Sequence, residues 1–316
     1  MFEFWHERGR LEQQTMWADG MHYSAAQTIG SDGGGNNGIH LQPSRDFQGN
    51  VYQFASGLGN PFEKYAKCDY RVIPFHTTDA KGGYEGFFLQ GAQMKYDESK
   101  QYGFTDENVN GSEEWMGFPL VFVDQVGRFS EDKSLNADNK KQVLLDAAAR
   151  GGYFICNDAD VATKGSQVTT GEENSGFRFN KFPYLPDHDG LFRSQSTPEM
   201  RLSEMYYSLA ECYYREGNKV KAAELLDYVR VRNYPAEEWP KYSYVANPDK
   251  LTDAELLDEW GREFIGERRR RIDLIRWNKF HEEWWNKEKD ATDKEYSYFP
   301  IPQNQLNASP ILKQTT

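Results

Sequence analysis

Cysteine is scarce in this chain of 316 residues: Cys68, Cys156 and Cys212 stand far apart and form no C-x-x-C pair. An odd number excludes a full disulfide framework, so buried free thiols are expected. Positive charge is the minority: Lys and Arg total 37 against 49 Asp and Glu, a formal net charge of −12. Nucleic-acid binders draw much of their affinity from neutralising phosphate with a basic surface, so no nucleic-acid partner is expected. There is no run of about 18 apolar residues, the length a membrane-spanning helix needs. The first residues, MFEFWHERGR, do not have the charged-then-apolar layout of a signal peptide. The sequence reads as a soluble chain, or as the mature or truncated part of something longer.

Catalytic signatures are missing as well. No G-x-S-x-G elbow occurs. The histidines at 6, 22, 40, 76, 188 and 281 have no H-E-x-x-H spacing. The stretch GSDGGGNNG lacks the Lys-Ser/Thr ending of a phosphate loop and reads as a loop. Carboxylates are abundant, but no spacing singles out the pair that glycoside hydrolysis requires. The segment DENVNGSEEWMG begins like a calcium loop, with Asp106, Asn108, Asn110 and Gly111 at its first, third, fifth and sixth positions. Gly117 stands where the bidentate Glu belongs, so a polar surface turn and no cofactor are expected, with calcium as the alternative.

What the chain has in quantity is aromatic side chains. They make up 15% of it, with 8 Trp, 19 Tyr and 20 Phe, although mean hydropathy is only −0.84. A polar, ring-rich composition suits carbohydrate, which offers hydroxyls to polar groups and a C–H face to rings. The same rings serve equally as core and amphipathic surface.

Organisation changes near residue 196. Before it, IGSDGGGNNG, DAKGGYEG and NVNGSEE punctuate short apolar runs such as PLVFVDQV, which reads as a strand or buried turn. One helix is expected at 136–152, capped by Asn136 or Asp138 and stopped by Gly151 and Gly152. After it, STPEMRLSEMYYSLAECYYREGN predicts a helix capped by Ser196 or Thr197, with Pro198 in its first turn and an apolar stripe of Leu202, Met205, Tyr206, Leu209, Ala210 and Tyr213. Gly217 and Asn218 turn the chain into a second helix with Ala222, Ala223, Leu226 and Val229 inward. This hairpin has the small, aromatic, turn and bulky spacing of a tetratricopeptide-like repeat. A lone repeat cannot stand as a solenoid, so it must pack on the irregular half or on chain outside this sequence.

A Pro-broken linker leads to LTDAELLDEWGREFIGERRRRIDLIRWNKF, read as a long helix with Thr252 and Glu255 as a capping box and Leu256, Leu257, Trp260 and Phe264 inward. A helix turns about 100° per residue, so Arg268, Arg269, Arg270 and Arg271 cannot form one basic face. Interleaved acids predict an ion-pair network, including Glu267 with Arg271 one turn on. The tail, with Pro300, Pro302 and Pro310, is expected to run extended along the surface rather than as a helix.

Three ordered blocks, RLSEMYYSLAECYYREGN, REFIGERRRRIDLIRW and YFPIPQNQLNASPILKQ, resemble the C-terminal region of the SusD/RagB family. Arg262, Glu263, Glu267, Arg271, Asp273, Leu274, Arg276 and Trp277 match the family's run without a gap. Arg268 replaces its usual Gly and Gly266 its usual aromatic. The match covers 196–316, and a weaker one extends over 59–75 and 84–93. The resemblance implies a mainly α, SusD-like fold: one tetratricopeptide-like hairpin and a long C-terminal helix packed on a large irregular region with few short strands. Residues 1–195 would be the loop-rich ligand-binding region and 196–316 the helical region, together one structural unit.

The resemblance also implies a function: capture of glycan at the cell surface, without catalysis, for a SusC-like TonB-dependent transporter of the outer membrane. Attachment to that membrane would be through a lipid anchor not present in this chain. A peptide-binding family member and a polysaccharide-degrading hydrolase are the alternatives. It places the site on loops before residue 120. There Trp17, Tyr52, Phe54, Tyr84 and Trp115 are candidates for stacking on sugar rings, and Asn36, Asn37, Arg45 and Asp46 for hydrogen-bonding hydroxyls; each has a core or loop-anchoring reading beside it.

Overall fold

The computed structural model describes residues 2–4, 45–77, 84–97, 99, 103–108, 120–150, 153–158, 165–167, 171–172, 174–181, 197–291 and 296–314. In the first part, turn signals cut each apolar run after a few residues, so only short strands form. In chain order these are β1 (Phe2–Phe4), β2 (His76–Thr77), β3 (Tyr84–Glu85), β4 (Phe88–Leu89), β5 (Gly91–Ala92), β6 (Met94–Asp97), β7 (Gly103–Asn108), β8 (Val121–Phe122) and β9 (Asp124–Val126). Helix α1 (Lys140–Ala149), β10 (Tyr153–Ile155), β11 (Arg178–Phe179) and β12 (Thr197–Met200) follow. The strands pair two by two: β9 with β10 in parallel, and β1 with β12, β2 with β3, β4 with β11, β5 with β8 and β6 with β7 antiparallel. Val121, Val123, Phe129, Phe154 and Cys156 pack on Leu144 and Ala147 of α1 as one core.

Among the described residues of the second part, six α-helices follow: α2 (Leu202–Arg215), α3 (Lys219–Arg230), α4 (Trp239–Tyr242), α5 (Asp253–Glu263), α6 (Arg270–Arg276) and α7 (Gln303–Ala308). Asn218 caps α3 by accepting from the Lys221 N–H at 3.1 Å, and Ala210, Ala222, Ala223, Leu226 and Val229 are buried as their spacing predicts. Thr252 caps α5 by accepting from the Glu255 N–H at 3.3 Å. The return arm of that capping box is replaced, because the Glu255 carboxylate takes the Tyr244 hydroxyl at 2.6 Å.

Several expectations are corrected. Asn136 and Asp138 do not cap α1: Asn136 Oδ1 accepts from the N–H groups of Asp138 and Asn139, closing a turn ahead of the helix. Residues 197–200 form a strand, with Pro198 opposite Glu3, so α2 starts at Leu202 and not under a Ser196 or Thr197 cap. On α2 the buried face is Ser203, Tyr207, Ala210 and Glu211, while Leu202, Met205 and Leu209 are exposed. Cys212 is exposed and Cys68 half-buried, so of the free thiols only Cys156 is buried. In the tail, the prolines flank residues 303–308 without interrupting them, and α7 forms there. At the candidate calcium loop, Asp106 and Asn108 lie in β7, an extended backbone unlike a helix-flanked loop, and positions 109–117 fall outside the described residues.

The long helix over 251–280 is divided into α5 and α6. Gly266 has φ 76° and Arg268 φ 61°, both left-handed, and a side chain at Gly266 would run into the Phe179 ring. This break separates Glu267 from Arg271, so the expected pair between them does not form. Arg271 donates instead to the Tyr296 carbonyl at 2.8 Å and lies over the Phe299 ring. Arg269 pairs with Glu204 and Arg270 donates to the Leu257 carbonyl, so neighbouring arginines do leave in different directions.

The acids before the break tie the helices to the irregular part. Arg71, 2% exposed, binds Asp69 at 2.7 Å and reaches Glu259 and Glu263, each at 3.3 Å. Glu259, fully buried, also receives Arg262 at 2.8 Å, Arg230 at 3.3 Å and the Tyr207 hydroxyl at 2.7 Å. Lys181 and Arg201 both close on Glu267, at 2.5 and 2.8 Å. Burial alone would raise the Glu259 and Glu263 carboxyls, but the surrounding guanidinium groups outweigh it and hold both below the usual carboxylate range.

Candidate ligand-binding site

The loop before β2 is built on a tight turn. The Asp46 carboxylate accepts from the Gln48 and Asn50 N–H groups at 2.9 and 2.8 Å and from the Asn50 amide at 3.1 Å, an Asx-turn arrangement. Arg45 donates to the Gly49 carbonyl at 2.9 Å and pairs with Glu63 at 3.0 Å, and its guanidinium lies over the Tyr153 ring at 4.5 Å. Tyr52 and Phe54 follow with ring centroids 6.1 Å apart.

This loop meets the chain near Gly165. The Tyr52 hydroxyl, the Arg45 carbonyl and the Asp46 Cα all crowd the space a Cβ would take there, and Gly165 has φ 66°. Only glycine allows so close an approach in that conformation. Next to it, Ser166 donates its hydroxyl to Asp124 at 3.0 Å, and its carbonyl accepts from the Trp285 indole at 2.7 Å. Burial pushes the Asp124 carboxyl up to about 6, against the opposing pull of the Ser166 hydrogen bond and Arg45.

Arg45, Asp46, Tyr52 and Phe54 therefore come together as one cluster. Tyr84 stands in a separate hairpin, opposite Thr77 and 6.0 Å from the Phe75 ring. Trp17, Asn36, Asn37 and Trp115 lie outside the described residues.

Beside the cluster is a cavity of about 290 Å³ between the 57–65 segment, the α5–α6 break and Trp284. Leu58, Pro61, Trp260, Phe264, Leu274 and Trp284 give it apolar walls. Its polar edge is Lys64, whose ammonium holds both Asp258 oxygens at 2.5 and 2.6 Å and the Gly57 carbonyl at 2.7 Å. Phe54 and Trp284 both border Gly59 at this cavity, and Trp284 remains 43% exposed. The sequence reading missed Trp284, Trp285, Lys64 and Asp258. The tryptophans had a signal, a WW pair inside the charged run HEEWWNKEKD, but they lie beyond the stretch that was read as ligand-binding.

Such a site can present flat rings, an apolar wall and a charge pair to a ligand that is polar at its edges and apolar on its faces. The model of the SusD family matches residues 5–316. The starch-binding protein SusD of Bacteroides thetaiotaomicron is similar, with 30% identity over 201 residues that make up 61% of this chain and 34% of that protein. A crystal structure of a SusD superfamily protein from Bacteroides fragilis superimposes with a TM-score of 0.45 at 15% identity, over 99% of this chain and 50% of that one. The chain thus spans half or less of the length of these relatives. With a family model matching nearly its whole length, this chain belongs to the SusD family.

Proposed function

We propose that the chain binds an α-glucan oligosaccharide, without transforming it, for uptake at the outer-membrane surface through a SusC-like TonB-dependent transporter. Membership of the SusD family, together with a relative named for starch binding, carries this reading. The 45–65 stretch supplies the rim of the contact surface, and residues 196–316 supply most of the cavity wall. Phe54 and the half-exposed Trp284 are the stacking rings at the cavity mouth, with Tyr52 beside Phe54 as a further candidate. Arg45 and Asp46 keep the loop in shape behind them, while Trp17, Asn36, Asn37, Tyr84 and Trp115 remain candidate contacts.

Titration calorimetry with maltoheptaose tests the reading, with a mixed peptide pool as the comparison. Trp284→Ala and Phe54→Ala are each expected to weaken maltoheptaose binding about tenfold, or roughly 1.4 kcal/mol. Peptide binding in place of maltoheptaose would favour the peptide-binding alternative. Shortened products after long incubation would contradict binding without chemistry.

A further inference from the structure

The cavity beside Trp284 is bounded on one side by the Lys64–Asp258 pair, and a second cavity begins across it. This one is larger, about 460 Å³, and shares Lys64, Tyr65, Asp258 and Arg262 with the first as common walls. The lower part of the partition is fixed. The Tyr65 hydroxyl donates to the Arg262 carbonyl at 3.0 Å, Arg262 donates to the Lys64 carbonyl at 3.0 Å, and both side chains are buried. The rest is the Lys64–Asp258 pair, with side chains 19% and 18% exposed, Lys64 also donating to the Gly57 carbonyl and Arg270 standing 3.8 Å from Asp258. An ion pair that reaches the surface is a partition that ligand hydroxyls can open by taking over its hydrogen bonds.

The two cavities differ in chemistry. The first is mainly apolar. The second is walled by Tyr234, Tyr242 and Tyr244, with Lys250 and Glu255 at polar positions. The half-buried Tyr242 ring stacks on the buried Tyr234 at 4.9 Å with 16° between planes, which leaves the outer face of Tyr242 as the ring surface of this cavity. Lys250 donates to the Lys241 carbonyl at 2.6 Å and stands 5.9 Å from the Tyr242 ring. The first cavity lies at the low end of the roughly 300–1,000 Å³ range of ligand pockets, enough for a short piece of a chain.

We infer that the two cavities are the halves of one elongated groove for a linear oligosaccharide, with the Lys64–Asp258 pair as a clasp across its middle. Rings at one end of the ligand pack near Trp284, rings at the other on Tyr242, and hydroxyls between them exchange with the clasp's own contacts. This rests on the glycan-binding reading and adds a length requirement to it: a ligand confined to the first cavity gains nothing from the tyrosines.

The test compares maltotriose with maltoheptaose by calorimetry on the full chain. Unaltered protein is expected to bind maltoheptaose at least tenfold more tightly than maltotriose. Tyr242→Ala should remove most of that advantage while leaving maltotriose affinity unchanged; Trp284→Ala should weaken both ligands. Lys250→Ala, an exposed position, is the second probe of the far pocket should Tyr242→Ala lower the melting temperature, and it should reduce the length advantage several-fold. Maltoheptaose binding whose advantage survives both far-pocket variants overturns the elongated groove and leaves the glycan reading standing. Failure of unaltered protein to bind either sugar overturns the glycan reading and the groove with it.

Discussion

The helical region and the loop cluster use their charges in opposite ways. Around Glu259 and Glu263 the ionised groups are buried, shared among Arg71, Arg230, Arg262 and Arg201, and drawn from distant parts of the chain. Around Asp46 they are near the surface and satisfied within a few residues. The first arrangement makes two parts of the chain depend on each other. The second shapes one loop and leaves the rest of the fold indifferent to it. A binding protein has use for both, a support that does not move and a rim whose residues can change with the ligand.

Breaking the buried network is the harshest test of that contrast. Glu259→Ala removes the carboxylate that three buried guanidinium groups share and leaves each with one acid fewer, and losing one partner of a buried ion pair costs about 3–5 kcal/mol. Urea unfolding should show that loss, and a change below about 1 kcal/mol would mean that the network is solvated. The network should also fail in acid. Glu259 and Glu263 have folded values below the usual carboxylate range, so their stabilisation is present above the unfolded value near 4.5 and is lost as pH falls through the folded ones.

The break between α5 and α6 ranks next. Gly266→Ala places a Cβ on a left-handed residue and against the Phe179 ring. Strain and overpacking together should cost about 3 kcal/mol, read as a lower urea midpoint with unchanged slope.

Asp124 separates the two regimes, a buried acid placed on the loop side. Its folded value of about 6 lies above the ordinary 3.8, so the proton binds more tightly in the folded state. The associated stability is complete below 3.8 and disappears as pH rises through 6. Asp124→Asn cannot ionise. It should therefore stabilise the protein by about 3 kcal/mol at pH 8, with the gain vanishing near pH 4. An equal effect at both values would show that burial is not what governs this carboxyl.

The same contrast explains what could be read from the sequence. Small and aliphatic positions of the helix hairpin were legible, because Ala210, Ala222 and Leu226 are buried by a pattern that periodicity captures. The inward face of α2 was not. Ser203, Tyr207, Ala210 and Glu211 have helical spacing too, but their polar members hide from a hydropathy reading; Glu211 is buried because Arg215 and Arg276 neutralise it. The arginine run was legible as an ion-pair element, and Arg269 and Arg270 do reach the interleaved Asp273 and Asp258, each at 3.8 Å; its other partners were not legible, since Glu204 and the carbonyls of residues 296 and 297 lie far off in sequence. At the candidate site, the local group Arg45, Asp46, Tyr52 and Phe54 could be found in one stretch of chain. Trp284 and Lys64–Asp258 join it only through folding, over separations that no local pattern encodes.

The smallest expected effect is at Asp46. Asp46→Ala removes an Asx turn on a partly exposed loop, where hydrogen bonds compete with water, so unfolding should change by at most about 1 kcal/mol. Arg45 keeps its contacts to Glu63 and Tyr153, so the loop stays attached at one end. What should change is the placement of Tyr52 and Phe54, which follow directly on the turn. Maltoheptaose affinity is therefore expected to fall several-fold while the melting temperature barely moves. A stability loss equal to that of Glu259→Ala would show that the loop is part of the support, and the division between a fixed frame and a replaceable rim would fail.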